Sequence, residues 1–478
     1  MLNEKRILKK EVFSSYPLYR KDRIASFLQK ELSGFRKKII VLDDDPTGIQ
    51  TVHDIYVYTN WDKESIRDGF RNEEQIFFIL TNSRSMTASE TSKVHAEIAR
   101  NIVKVAQEEK QDYIIISRSD STLRGHYPLE TQVLKDTIES LGEGRYDGEI
   151  LMPFFEEGGR YTIDNVHYAE DGDTLIPVAQ TEFAADKTFG YSKSNIAEYI
   201  EEKSRGEFPK ETSISISLNE LRNMEIDPII DKLCRVSGFR KIIVNAISYD
   251  DVKVFTVALI RAMNQGKRFL FRTAAAFPKV IGGVKDSPLL TKKALIQENN
   301  PAGGLIVIGS HVSKTTRQLE ELRKVNDIQF IEFNQHFVVD DVLFEAEQQR
   351  VIATVNQIIA TGKTAAVFTR RERFDINSGN KEDDLRIAVR ISDALTRIVS
   401  SLEIKPKFII AKGGITSSDI GTKALGVKKA LVLGQVLPGI PVWLTGKDSK
   451  FPDIPYIIFP GNVGTDTALA EIVCRLKD

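Results

Sequence analysis

Asp43-Asp44-Asp45-Pro46-Thr47-Gly48 sets three carboxylates in a row. Neighbouring carboxylates repel, so such a stretch must hold a cation, accept hydrogen bonds from a polyol, or shift a pKa upward. A solvated acidic turn is the plainer alternative. Thr47 and Gly48 can also open a helix and present backbone N–H groups to an anion. A second stretch, Arg118-Ser119-Asp120-Ser121-Thr122-Leu123-Arg124-Gly125-His126, combines two guanidinium groups, one carboxylate and several hydroxyls. That set suits a small ligand bearing both a carboxylate and alcohols, because Arg grips a carboxylate with two parallel bonds while Asp accepts from hydroxyls. Its alternative is a capped helix start with a surface ion pair. Arg84, in Thr81-Asn82-Ser83-Arg84-Ser85, adds a third cation. Glycine turns mark the late part of the chain: Gly309-Ser310, Gly413-Gly414-Ile415-Thr416-Ser417 and Gly461-Asn462-Val463-Gly464. Glycines after strands let backbone amides approach phosphate oxygens, and Ser or Thr hydroxyls add donors, although each turn taken singly fits an ordinary tight turn.

These stretches need elements to position them. Short apolar runs rich in β-branched residues occur at Ile39 to Leu42, Ile76 to Leu80, Tyr113 to Ile116, Ile242 to Val244, Leu305 to Ile308, Ala365 to Phe368 and Phe408 to Ala411. Longer amphipathic stretches such as Glu90 to Glu109 and Lys314 to Lys324 lie between them. Strands buried on both faces, alternating with helices, predict an α/β architecture with mostly parallel sheets. Ligands of such sheets bind beyond the carboxyl ends of the strands, where the runs end in the polar stretches above. Pro278, Gly282, Gly283, Pro288, Pro301, Gly303 and Gly304 punctuate a boundary. The expected organisation is a basic helical extension over 1–37, a first domain over 38–280 and a second over 300–478. Thr361-Gly362-Lys363-Thr364 looks like the end of a P-loop, but that motif needs Gly where Gln357 stands, and Phe344 to Ala360 reads as a helix capped by Gly362.

Composition bounds the function classes. Lys plus Arg is 66 and Asp plus Glu is 67, a formal charge of −1, which argues against a nucleic-acid coat. The balance hides an asymmetry, because residues 1–38 carry a net +7 and the remainder −8. Packing of the arm on a domain surface is the plain reading of that excess, and anion steering or partner binding the sharper one. Two cysteines, Cys234 and Cys474, make neither a disulfide framework nor a zinc site. Ala430 to Gly446 is broken by glycine and proline and does not read as a membrane helix, and the charged N-terminus has no secretory h-region. A reducing cytoplasm is the expected location. Val436 to Leu444 is apolar enough for a core or for an interface, and a homodimer is possible.

Together, strand-Asp-Asp-x-Thr-Gly, Asp-Ser-Thr-Leu-Arg-Gly, Gly-Gly-x-Thr-Ser and the late Gly-Asn-x-Gly resemble the four-carbon acid sugar kinases, from about Lys38 to the C-terminus. The resemblance implies an N-terminal domain that binds an acid sugar, a C-terminal domain that binds ATP with Mg²⁺, and a ligand cleft between two α/β domains. By position, Asp44 and Asp45 match the family's paired Asp, Arg84 its Ser-Arg element, and Asp120 and Arg124 its third motif, while Arg118 stands where Lys is usual. Ser310, Gly413, Gly414, Ile415, Thr416, Gly461, Asn462, Val463 and Gly464 fall on its nucleotide turns. Ile415 replaces a Glu, Phe459-Pro460 a Lys-Ser, and His126 an Asn, while Asp43 and Pro46 alter the first motif. The implied activity is ATP-dependent phosphorylation of a hydroxyl on a small sugar acid or keto derivative. Arg84 and Arg124 would hold its carboxylate, Asp44 and Asp45 would orient its hydroxyls, and Asp45 or Asp120 would act as base. Two alternatives stand beside it: a haloacid-dehalogenase-like phosphatase with Asp43 as nucleophile and Asp45 as acid, and a non-catalytic sugar-acid sensor whose nucleotide site has decayed.

Overall fold

A computed structural model describes residues 5–19, 21–296, 300–372, 374, 381–461 and 463–477. The chain divides into two compact units, Met1–Thr51 with Asn60–Asp286, and Val52–Thr59 with Ser287–Asp478. Both are α/β units built on a sheet that is parallel for most of its strands.

The first unit orders seven parallel strands as Ile214–Ile216, Arg240–Val244, Gly148–Met152, Phe269–Thr273, Tyr113–Arg118, Lys38–Asp43 and Ile76–Leu80. Lys38–Asp43 and Ile76–Leu80 are buried at every position, as the unbroken apolar runs require. Lys38–Asp43 comes first in the chain yet lies between the two strands that follow it. The chain therefore leaves it in opposite directions, opening a crevice at its carboxyl end. Register completes the placement: Asp43 pairs with Arg118 on one side and with Leu80 on the other. The three polar stretches after these strands thus emerge at one level.

Helix Ala88–Glu109 covers part of this sheet. Thr87 and Glu90 form a reciprocal capping box, and Thr91, His95, Ile98, Ile102 and Val105 make the buried stripe expected at a spacing of three and four residues. A small antiparallel sheet joins Arg160–Ile163, Val166–Asp171 and Thr174–Pro177 to Ile7–Leu8 of the N-terminal arm. The arm packs along most of its described length. Lys9 bridges to Glu170 at 2.8 Å, Tyr19 donates to Asp251 at 2.7 Å, and Glu31 of helix Lys21–Gly34 accepts from Arg261 at 2.9 Å.

The second unit repeats the principle. Its parallel strands run Pro455–Phe459, Ile409–Lys412, Leu305–Ile308, Thr364–Thr369 and Ile328–Phe333, again with the first strand of the group, Leu305–Ile308, between two later ones. Antiparallel strands Ile440–Thr445, Lys429–Leu437 and Ile55–Tyr58 extend it, so an early segment of the chain adds a strand to this unit. Val436, Ile440 and Val442 lie in its core. Helix Asp341–Ala360, capped by Asp340, precedes Gly362 and strand Thr364–Thr369, which places Gly362-Lys363 between helix and strand rather than in a phosphate loop. Among the described residues no helix is long and apolar enough to cross a membrane.

Ile24 is 1% exposed within helix Lys21–Gly34. Ile24→Ala should lower the stability of the first unit by about 2–5 kcal/mol, the usual result of deleting a buried Ile side chain. Denaturant unfolding followed by tryptophan-independent circular dichroism checks this, and a change within about 0.5 kcal/mol would show the helix to be undocked.

Candidate functional site

Asp43 and Asp44 are almost fully buried, at 1% and 2% exposed. Arg118, at the end of the neighbouring strand, reaches Asp43 at 3.1 Å and Asp44 at 3.7 Å. Arg84, on the turn after Ile76–Leu80, contacts Asp44 at 3.1 Å, Asp45 at 3.2 Å and Asp120 at 3.4 Å. Arg124 Nε donates to Asp120 at 2.7 Å and its outer nitrogen lies 3.8 Å from Asp186. The structure therefore brings Asp44, Asp45, Arg84, Arg118, Asp120 and Arg124 into one connected network. Gly48 is needed for close approach, since a methyl there would lie 1.9 Å from Asp43 Oδ2.

The carboxylates differ in their electrostatics. Burial pushes Asp43 up to about 7, and Arg118 only partly offsets it. Burial also raises Asp44, against the pull of Arg84 and Arg118. Despite burial, Arg84 and the Thr47 N–H and hydroxyl hold Asp45 below the usual carboxylate range. Asp120 is likewise buried, yet Arg84 and Arg124 hold it well below that range. Asp45 and Asp120 are thus the ionised pair, and both keep some solvent access.

Residues with no sequence signal fix the loop after Arg118. The Tyr191 hydroxyl donates to Thr122 O at 2.6 Å and the Tyr199 hydroxyl to Leu123 O at 2.7 Å. His167, fully buried and pushed down to about 4 by burial, is neutral, and its Nε2 bonds Ser121 O at 2.8 Å. Arg160 and Arg124 both stand against the Phe183 ring, 5.3 and 5.1 Å from its centre. His126 is turned to Met86 O at 2.9 Å.

In the second unit the glycine turns gather around Ser310. A methyl on Gly413 would lie 3.2 Å from Ser310 Cβ, and one on Gly461 would lie 3.1 Å from Ser310 Oγ. Thr315 Oγ1 donates to Gly461 O at 3.1 Å and sits 3.2 Å from Ser310 Oγ. Gly413 adopts φ +122, which a side chain disfavours. Gly414 and buried Thr416 begin helix Gly414–Asp419, from which Ile415 projects 64% exposed. Gln318 binds Val463 O at 3.1 Å, and Gly464 follows at φ +81. Asn462 lies outside the described residues. Lys412, just before Gly413, is wholly buried; its ammonium donates to Pro460 O at 2.6 Å and stands 3.8 Å over the Phe459 ring. Burial pushes it down to about 7.

The pattern of a sugar-binding N-terminal domain matches residues 39–281, and that of a nucleotide-binding C-terminal domain matches 305–469. The chain belongs to the four-carbon acid sugar kinase family. Among solved structures it is similar to a Haemophilus influenzae protein of a family designated as of unknown function, at TM-score 0.62 and 16% identity over 91% of this chain and 100% of that one. It is also similar to a putative tRNA synthase from Salmonella typhimurium LT2, at TM-score 0.63 and 13% identity over 91% and 98%. At these identities the likeness is one of fold. No curated protein matches.

Within this family's pattern, the Phe459 that replaces Lys is a buried platform for Lys412 from the adjacent strand. The phosphatase alternative meets a physical obstacle, because Asp43, its nucleophile, is almost fully buried and bonded to Arg118 at 3.1 Å.

Asp43 generates a pH prediction. Its pKa is raised in the folded chain, so its contribution to stability is full below the unfolded value, about 3.9, and is lost as pH rises through about 7. Asp43→Asn abolishes that titration. Its melting temperature relative to wild type should therefore rise between about pH 4 and about pH 7 and level off above; a pH-independent difference would place the Asp43 pKa in the ordinary range.

Proposed function

We propose that the protein is an ATP-dependent kinase that phosphorylates a hydroxyl of a small, about four-carbon, sugar acid or keto-acid derivative. The observation that carries this reading is that Arg124, paired with Asp120, and Arg84, which joins Asp120 to Asp45, set a guanidinium beside two ionised, partly exposed carboxylates in a sugar-binding domain. The nucleotide-binding domain in the same chain supplies the second half of the chemistry.

Arg84 is committed to three carboxylates, whereas Arg124 uses Nε on Asp120 and its outer fork makes only a 3.8 Å approach to Asp186, which a ligand can replace. Arg124 binds the substrate carboxylate, and Arg84 and Arg118 hold the acidic residues in place. Asp44, Asp45 and Asp120 orient the hydroxyls. The hydroxyl proton passes to Asp45 or Asp120, both of which are ionised near neutrality. Phosphoryl transfer asks the protein mainly for in-line positioning and charge stabilisation. On the nucleotide side, Ser310, Gly414, Thr416, Gly461 and Gly464 offer backbone and hydroxyl donors to phosphate, while Gly413, whose N–H is taken by Phe459 O at 2.8 Å, allows close approach. Among the described residues no group of three or more His, Cys, Asp or Glu is placed to hold a metal ion, and the acidic network is already engaged by guanidinium groups. Mg²⁺ fits as an ion brought by the nucleotide phosphates, and no step here runs through it.

An ATP-consumption screen of four- to six-carbon aldonic and keto acids, with mass detection of the product, tests the activity. Arg124→Ala should abolish turnover and acid binding while leaving ATP binding nearly unchanged. Collapse of ATP affinity with acid binding intact would overturn the assignment. Absence of ATP binding at millimolar concentration would point to a sensor, and phosphate release from a sugar phosphate without nucleotide would point to a phosphatase.

A further inference from the structure

Strand Thr364–Thr369 ends in Thr369-Arg370-Arg371-Glu372, a polar terminus at the same sheet edge as the glycine turns that the proposed mechanism leaves without a role. Arg371 does not point into bulk solvent. Its Nη2 donates to Ser310 O at 2.7 Å and to Thr316 Oγ1 at 3.0 Å, and its Nε reaches the same hydroxyl at 3.2 Å. Nη1 is buried and has no hydrogen-bond partner. Among the described residues no carboxylate lies within ion-pair reach of this guanidinium. A half-buried cation with an unpartnered donor and no counter-ion carries a desolvation cost that an anion would relieve.

Its position decides which anion. Ser310, whose carbonyl Arg371 holds, is the residue on which Gly413 and Gly461 converge and to whose hydroxyl Thr315 reaches. The other buried cation of this edge, Lys412, is turned inward onto the carbonyls of Pro460 and Gly461 and is shielded by Phe459. We propose that Arg371 is a phosphate-binding residue of the nucleotide site, held by Ser310 and Thr316 so that its free nitrogen meets the phosphate chain. This rests on the nucleotide-dependent kinase reading above and adds to it the cation of the phosphate subsite. A guanidinium suits the role because its fixed fork can keep its bonds to Ser310 and Thr316 on one edge while Nη1 donates to phosphate.

The test is calorimetry of the full chain, without sugar acid, against adenosine, AMP, ADP and ATP. Arg371→Gln should weaken ATP by about 10- to 100-fold, as expected for loss of a hydrogen bond between charged groups, while leaving adenosine unchanged. Arg371→Lys, which keeps the charge but not the fork, should recover part of the ATP affinity and carries the test should the Gln variant fail to fold. Equal weakening of adenosine and ATP would assign Arg371 to shaping the Ser310 turn and would overturn the proposal, as would ATP affinity that is unchanged in both variants. Failure of the wild-type chain to bind any of the four ligands would remove the kinase reading itself, and this inference with it. An unchanged variant beside a wild type that binds ATP would remove the inference alone.

Discussion

An ionised carboxylate taken out of water costs several kcal/mol unless a cation and hydrogen bonds replace its solvation. The first unit places Asp43, Asp44, Asp45 and Asp120 together at one sheet edge, two of them almost wholly buried. Arg118 arrives from one neighbouring strand and Arg84 from the turn after the other, so cations and carboxylates meet only if three strands keep their register. A slip of one residue would turn Asp43 and Arg118 to opposite faces and leave both unpaired, at about 3–5 kcal/mol for a broken buried pair. The network is thus a register lock as well as the proposed ligand site. Compensation is incomplete, however. The raised pKa of Asp43 and of Asp44 shows that burial outweighs the guanidinium groups there, while Asp45 and Asp120, nearer the solvent, remain ionised.

That gradient separates structural acid from chemical acid within a few residues of sequence. Asp43 has the burial of a structural group, Asp44 shares that burial beside Arg84, and the partly exposed pair, Asp45 and Asp120, has the charge a hydroxyl needs from its acceptor. The supports behind Asp120 are uncharged for a reason. Tyr191, Tyr199 and neutral His167 hold the Asp120 loop through its carbonyls, so they fix its path without altering the charge balance.

Much of this was legible in the sequence because buried parallel strands write themselves as uninterrupted β-branched runs. All seven such runs are strands, and the polar residues after them lie at carboxyl ends. Strand order was not legible, since apolar runs carry no label for their neighbours; that Ile55–Tyr58 pairs with Lys429–Leu437 has no local signal. At the site, Asp44, Asp45, Arg84, Arg118, Asp120 and Arg124 stood out because charge at a strand end is unusual. Tyr191, Tyr199 and His167 did not, because aromatic residues in irregular segments look the same whether they brace a loop or fill a core. Lys412 was hidden for a related reason: it closes a strand and reads as a solvated lysine, and only the Phe459 ring and the carbonyls beyond it show that it faces inward.

The two units answer the problem of binding an anion in opposite ways. In the first, Arg84, Arg118 and Arg124 are already matched by acid, so an incoming carboxylate must compete with Asp120 and Asp186 for Arg124. Such competition favours a ligand that offers hydroxyls to the same aspartates, because those donors replace what Arg124 withdraws. Charge alone would then be a poor ligand, and an acid that also carries alcohols a good one. Among the described residues of the second unit no carboxylate pairs with Arg371 at the Ser310 turns, where glycine backbone, Thr hydroxyls and a buried, unpartnered guanidinium nitrogen gather. An anion there displaces no carboxylate. It can be recognised by charge and backbone donors alone, which suits a phosphate chain, and on the proposed reading selectivity for hydroxyl-bearing acids falls to the unit whose site arginines are already paired.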